Sequence, residues 1–223
     1  MSQHQRQLFL ITFAFASLVL TSCRTPGRPL KRHGDEIVVA GQLFHTGTRV
    51  ITCMDPGGYD AYRTERRFSP IADSAWDKTH EAVKAIPSPN RYGMRKAALT
   101  PEEIEHVRGG GWDLSKLQSV VDQFVIHFDV CGVSKQCFNI LHDHRGLSVH
   151  FMLDIDGTIY QTLDLKERAW HATTSNERSI GIEVANMGAY PGNDLRVLHV
   201  WYQRDAKGLP YIKVPASIGD PMI

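Results

Sequence analysis

Gln123-Phe124-Val125-Ile126-His127-Phe128, then Val149-His150-Phe151-Met152-Leu153-Asp154-Ile155-Asp156-Gly157-Thr158-Ile159-Tyr160, then Ser179-Ile180-Gly181-Ile182-Glu183: these three stretches decide the fold of this chain. The first and last are short apolar runs, with the length and β-branched content of buried strands. The middle one reads as two strands, Ser148 to Asp154 and Thr158 to Thr162, joined as a hairpin around Asp156-Gly157. His127 falls near the C-terminal end of its strand, and Glu183 sits inside an apolar Ile-Gly-Ile context.

Outward from these strands the pattern alternates with helices. Asn139 to His144 reads as a helix terminus and Leu114 to Val121 as a short amphipathic helix. Thr100-Pro101-Glu102-Glu103-Ile104 combines an N-cap, a proline at the first helical position and acid in the first turn, and that helix must stop by Gly109-Gly110-Gly111. Upstream, Glu36 to Val50 is β-rich, with Ile37-Val38-Val39-Ala40 and Arg49-Val50-Ile51 separated by glycines, and Asp55 to Ser69 reads as a loop. Strands interleaved with helices predict an α/β (α+β) fold with one functional face.

A chain of 223 residues, 42% hydrophobic and 22% charged, has the balance of an ordinary globular protein of one or two domains. A net charge of +1 lacks the basic excess of a nucleic-acid binder, so no nucleic-acid partner is expected. At the N-terminus, Arg6 precedes an apolar run from Leu8 to Leu20, the length of a secretory signal rather than a membrane span. Leu20-Thr21-Ser22-Cys23 resembles the lipobox of a bacterial lipoprotein, which places a signal peptide at 1–22 and lipidation on Cys23. Acyl chains contribute about 0.8 kcal/mol per buried methylene, so several of them anchor a protein to a membrane durably. Residues 23–35, rich in Arg, Lys, Pro and Gly, read as a tether from that anchor. Arg24, in place of an aspartate after the cysteine, favours the outer membrane, facing the periplasm of a bacterial cell envelope. Of the remaining cysteines, Cys131 and Cys137 can bridge if the segment between them forms a loop; otherwise Cys53, Cys131 and Cys137 are small buried residues.

The order strand-His127, His150-Phe151-Met152-Leu153-Asp154-Ile155-Asp156-Gly157-Thr158-Ile159-Tyr160-Gln161, Ala169-Trp170-His171-Ala172, and Asn176-Glu177-Arg178-Ser179-Ile180-Gly181-Ile182-Glu183 resembles the type 2 N-acetylmuramoyl-L-alanine amidases. Their wider family includes phage lysozyme-type amidases and peptidoglycan recognition proteins. The resemblance covers roughly residues 121 to 188 and implies a central mixed β-sheet flanked by helices. It implies cleavage of the amide between N-acetylmuramic acid and L-alanine in peptidoglycan or its turnover muropeptides, with one zinc as cofactor. His127 matches the first zinc ligand and Glu183 the catalytic carboxylate that moves the proton of the attacking water. His171, Trp170 and Asn176 match substrate-groove positions. On the residues alone, His127 could also be a hydrogen-bonded core histidine and Glu183 an edge-strand glutamate turned to solvent. His150 reads as structural, and His142-Asp143-His144 as a solvated turn rather than a metal site.

The family's second and third zinc ligands come from a later Gly-His segment followed by Asp or Cys near Pro-Gly. Beyond Glu183 this chain offers His199 in Leu198-His199-Val200-Trp201, without those surroundings, and Pro215 to Ile223 does not supply them. The resemblance therefore implies a partial amidase domain over 121–223, shortened at its C-terminus and preceded by an extension at 36–120. It leaves three readings: a piece of an active amidase, an inactive truncated copy, or a lipoprotein that binds peptidoglycan without cutting it. A zinc site rebuilt from His127 with His142, His144 or Cys131 is a further alternative.

Overall fold

The computed structural model describes residues 31–62, 92–108 and 111–218. The chain divides into two units, 1–32 and 33–223, and the sheet and its flanking helices belong to the second. The expected leader, the expected lipidation site at Cys23 and most of the expected tether lie outside the described residues.

The centre is a five-stranded mixed sheet. Its strands are β3 (Val50–Thr52), β7 (Ile159–Gln161), β6 (Phe151–Leu153), β9 (Ser179–Val184) and β5 (Gln123–Phe128), in that spatial order. Only β6 and β7 are antiparallel, as the hairpin at Asp156-Gly157 requires; β3–β7, β6–β9 and β9–β5 are parallel. The stretch read as an extension thus supplies an edge strand, β3, to the central sheet.

Each face of the sheet has its own apolar layer. On one, Met152 and Tyr160 pack with Cys137, Phe138 and Leu163 beneath α3 (Ser134–Phe138), which continues as a π-helical turn, Asn139–His144. On the other, Phe151, Ile159, Ile180 and Ile182 meet Leu117 of α2 (Leu114–Val120) and Ile37 and Val39 of the hairpin β1 (Glu36–Val39) and β2 (Gln42–His45). Strand alternation sends neighbouring side chains to opposite faces, so both layers form from the same short strands. The β1–β2 hairpin turns at Ala40-Gly41, both at positive φ, and Asp164 accepts both turn amides at 2.8 and 2.7 Å. That carboxylate holds a left-handed alanine that would otherwise be strained.

α1 (Pro101–Arg108) begins with a reciprocal capping box: Thr100 N–H donates to Glu103 Oε2 and Glu103 N–H to Thr100 Oγ1. It ends at Arg108, one residue before the expected glycine stop. α4 (Arg196–Trp201) leads into the small hairpin β10 (Tyr202–Arg204) and β11 (Pro210–Ile212), while β4 (Gly93–Met94) pairs with β8 (Glu167–Arg168). Trp201 packs on Gly132, which sits at positive φ and where any Cβ would strike the indole ring.

Two expectations need correction. β5 is an edge strand rather than a buried one: Phe124, Ile126 and Phe128 are 57, 71 and 57% exposed, because α2 covers only the neighbouring part of that face. The His142-Asp143-His144 segment is no solvated turn either. The π-helical turn draws His142 fully into the core, stacked on Phe138 and bonded through Nδ1 to Asp143, and leaves His144 outside. No helix among the described residues is long and apolar enough to cross a membrane.

Candidate active site

Parallel pairing places His127 of β5 directly opposite Glu183 of β9. Both side chains project to the face carrying the π-helical turn, where they line a cleft of about 660 Å³ with Leu141, Arg145, Arg168 and Trp170. His171, Thr173, Thr174 and Asn176 complete its wall. All five predicted cleft residues, His127, Glu183, His171, Trp170 and Asn176, are therefore brought together.

Asp129, just past β5, organises the strand ends. Its Oδ1 accepts from the amides of Cys131, Gly132 and Asn186, tying the loop after β5 to the segment just past β9. Burial pushes the Glu183 carboxyl up to about 7, the negative charge of Asp129 adds to the rise, and Arg145 partly offsets it. Glu183 is thus no solvent-facing edge residue. A carboxyl poised near neutrality suits proton transfer in both directions.

The loop carrying His171 is folded by Asn176, whose Oδ1 accepts from the amides of His171 and Ala172 at 2.7 and 2.9 Å. Asn176 is itself buried, so its amide oxygen shapes the loop. The His171 ring lies over Gly181, where a Cβ would come closer than 3.0 Å to its atoms. It also stacks beside His127, centroids 5.5 Å apart. Trp170 carries the Arg168 guanidinium 4.5 Å above its ring.

A second histidine braces the first. The Gly181 amide donates to His150 Nδ1 at 3.3 Å, that nitrogen lies 2.9 Å from His171 Nε2, and His150 Nε2 lies 3.0 Å from the Glu167 carbonyl and 3.1 Å from Arg95 Nη2. His171 Nδ1 is buried without a hydrogen-bond partner. Burial, followed by the neighbouring His127 and Arg95, lowers the His171 pKa to about 3. Burial likewise drives His150 well below the usual histidine range. Both rings are neutral at pH 7.

Sequence reasoning passed over Arg95. Fully buried behind β4, it donates to the carbonyls of Leu165, Asn176, Glu177 and Ser179 and lies 3.1 Å from His150 Nε2. It clamps the His171 loop to the start of β9. No motif marks it, and only the fold brings residue 95 to residues 165–179.

His127 Nε2 is buried without a hydrogen-bond partner, as befits a metal ligand, and burial lowers its pKa, keeping the ring neutral. The remaining donors do not close on an ion there. Among the described residues, the group of three or more His, Cys, Asp or Glu with ligand atoms close enough to share one cation is His33, Asp35, Glu36 and His45. His142, His144 and Cys131 form no such group with His127, so a zinc site rebuilt from them is not present among the described residues.

Cys131 and Cys137 are neighbours: their thiols hydrogen-bond to each other, which lowers the pKa of Cys131 and raises that of Cys137. Both are thiols in this structure, as is Cys53.

Residues 117–207 match the family described as N-acetylmuramoyl-L-alanine amidase. That segment runs from within α2 past β10 and contains every cleft residue named above, whereas Arg95, which braces the cleft from behind, lies outside it. No curated protein sequence matches the chain significantly.

Proposed function

We propose that this chain, whose residues 117–207 match the family described as N-acetylmuramoyl-L-alanine amidase, acts on peptidoglycan or its muropeptide fragments by hydrolysing the amide between N-acetylmuramic acid and L-alanine. The observation that carries the reading is Glu183, held opposite His127 in a cleft, with its carboxyl raised to about 7. In its ionised form it takes the proton of the attacking water, and in its protonated form it delivers that proton to the departing alanine nitrogen. Arg145 and Arg168 place two cations on the cleft wall, suited to the carboxylates of a stem peptide. His171 stays neutral beside His127, with Asn176 holding its loop and Trp170 beside it offering an indole surface to the sugar.

Zinc is the cofactor of this reading: bound, it would acidify water and polarise the amide carbonyl. His127 fits as one ligand, but the described residues bring no second and third protein donor to it. That observation favours a second reading, a lipoprotein that retains muropeptide in the same cleft without cutting it. In either case the lipobox-like Leu20-Thr21-Ser22-Cys23 supports anchoring at Cys23 in a bacterial envelope, with residues 23–35 as a tether.

The test is incubation of purified peptidoglycan with the full chain and added zinc. New free amino termini on L-alanine support the amidase. Their absence in a folded chain that still retains muropeptide supports the binder.

A further inference from the structure

The hairpin β1–β2 brings four metal-binding side chains to its open end. Its two-residue turn at Ala40-Gly41 sets the register Glu36↔His45, Asp35 precedes Glu36, and Gly34 at positive φ folds His33 back toward His45. The ligand atoms of His33, Asp35, Glu36 and His45 all lie within 4.8 Å of one another. We propose that these four residues form a site for a first-row divalent cation, with zinc as the best-suited ion, separate from the amidase cleft.

The donor set fits this chemistry. Two imidazoles and two carboxylates match the nitrogen and oxygen preferences of zinc, and four protein donors make a closed tetrahedral site of the structural kind. Ligands about 2.0–2.2 Å from one zinc lie roughly 3.3–3.5 Å from each other. His45 Nδ1 and Asp35 Oδ1 are 2.8 Å apart, and His45 Nδ1 and Glu36 Oε1 are 4.0 Å apart. An ion replacing the His45–Asp35 proton therefore needs movements of well under an ångström at both Asp35 and Glu36. The imidazoles of His33 and His45 are both exposed and stacked 5.0 Å apart.

The carboxylates are already oriented. Glu36, 2% exposed, accepts from the amides of His33 and Gly34, and Asp35 Oδ2 accepts from the Gly47 amide at 3.0 Å. The backbone around them is fixed by Thr46 N–H to Asp35 O and Val50 N–H to Gly34 O, at 2.9 and 2.8 Å. The hairpin lies on the sheet face carrying Phe151 and Ile182, whereas Glu183 and His127 point from the opposite face. A cation there pins the open end of a hairpin that is elsewhere held by Ile37 and Val39 in the apolar layer, by the Val38 backbone to Gln161 and by the turn to Asp164. It also means that zinc content alone does not report on the amidase cleft.

The experiment is equilibrium dialysis of the full-length chain against zinc, with bound metal counted by mass spectrometry, for wild type, His33→Ala/His45→Ala and His127→Ala. The proposal expects the double variant to lose one zinc equivalent, with affinity falling more than about 100-fold, since even outer-shell partners are worth 10–100-fold. His127→Ala keeps that equivalent. Cobalt substituted into wild type gives the intense visible bands of a tetrahedral site, which vanish in the double variant. A folded wild type that binds no zinc, or a double variant that keeps all of it, overturns the proposal. Peptide release is read separately, so failure here leaves the amidase reading untouched.

Discussion

His127 and Glu183 are Cα partners across the parallel strands β5 and β9, an imidazole with a bare Nε2 facing a carboxyl raised to about 7. Neither strand alone makes this pair. The parallel register does, and Asp129 locks it by reaching from the end of β5 to the Asn186 amide beyond β9.

Glu183→Gln removes the proton-transfer group and is expected to lower peptide release at least ~100-fold, the usual worth of general acid–base catalysis, while muropeptide retention persists. The same variant tests the buried carboxyl. Because its folded pKa lies above that of an exposed glutamate, the native state holds a proton that the unfolded chain releases. The associated stability is present in full below about pH 4 and is lost as pH rises through 7. Chemical denaturation should therefore show the variant and wild type equal near pH 4, with the variant ahead by roughly 1–2 kcal/mol at pH 8 after solvent screening. Equal stability at both pH values would mean that Glu183 is not buried as described.

Gly181→Ala puts a methyl group into the His171 ring. The ring must leave its place between His127 and His150, breaking the His171–His150 bond. A loss of about 1–3 kcal/mol follows from the overpacking, read as a lowered Tm, together with weaker muropeptide retention. An unchanged Tm would show that His171 is mobile.

Arg95→Met strips four carbonyls of their shared donor in a buried setting. The cost is expected at about 3–5 kcal/mol by urea denaturation. Arg95→Lys keeps a charge but not the planar fork and should recover only part of it. Full stability in either variant would contradict the clamp.

Oxidation should join Cys131 to Cys137, whose thiols already share a hydrogen bond. The intact mass falls by about two hydrogens, and closing so short a loop adds about 2 kcal/mol. Cys53, with its thiol pushed up to about 11 by burial, should remain slow to alkylate at pH 7. Cys131→Ser abolishes the mass change; a bridge through Cys53 instead would refute the pairing.

Local signals carried much of this fold. The capping box at Thr100 and Glu103, the Asp156-Gly157 hairpin and the period of Ser179 to Glu183 act within a few residues, and each element forms where its sequence says. Phe124, Ile126 and Phe128 misled because an apolar run reports hydrophobicity, not what covers it, and only sheet order shows β5 to be an edge. Arg95 depends on contacts across the fold, whereas the His33, Asp35, Glu36 and His45 cluster is local to one hairpin. For the cluster a signal did exist: a hairpin turning at Ala40-Gly41 puts residue 36 opposite residue 45.

The most direct test of the central claim is a defined N-acetylmuramoyl peptide incubated with the full chain and zinc, with products weighed by mass spectrometry. The account predicts one added water, split so that free N-acetylmuramic acid and a peptide beginning at L-alanine appear, with the Glu183→Gln chain leaving the substrate whole. Intact substrate with folded wild type, or cleavage at any other bond, would contradict it.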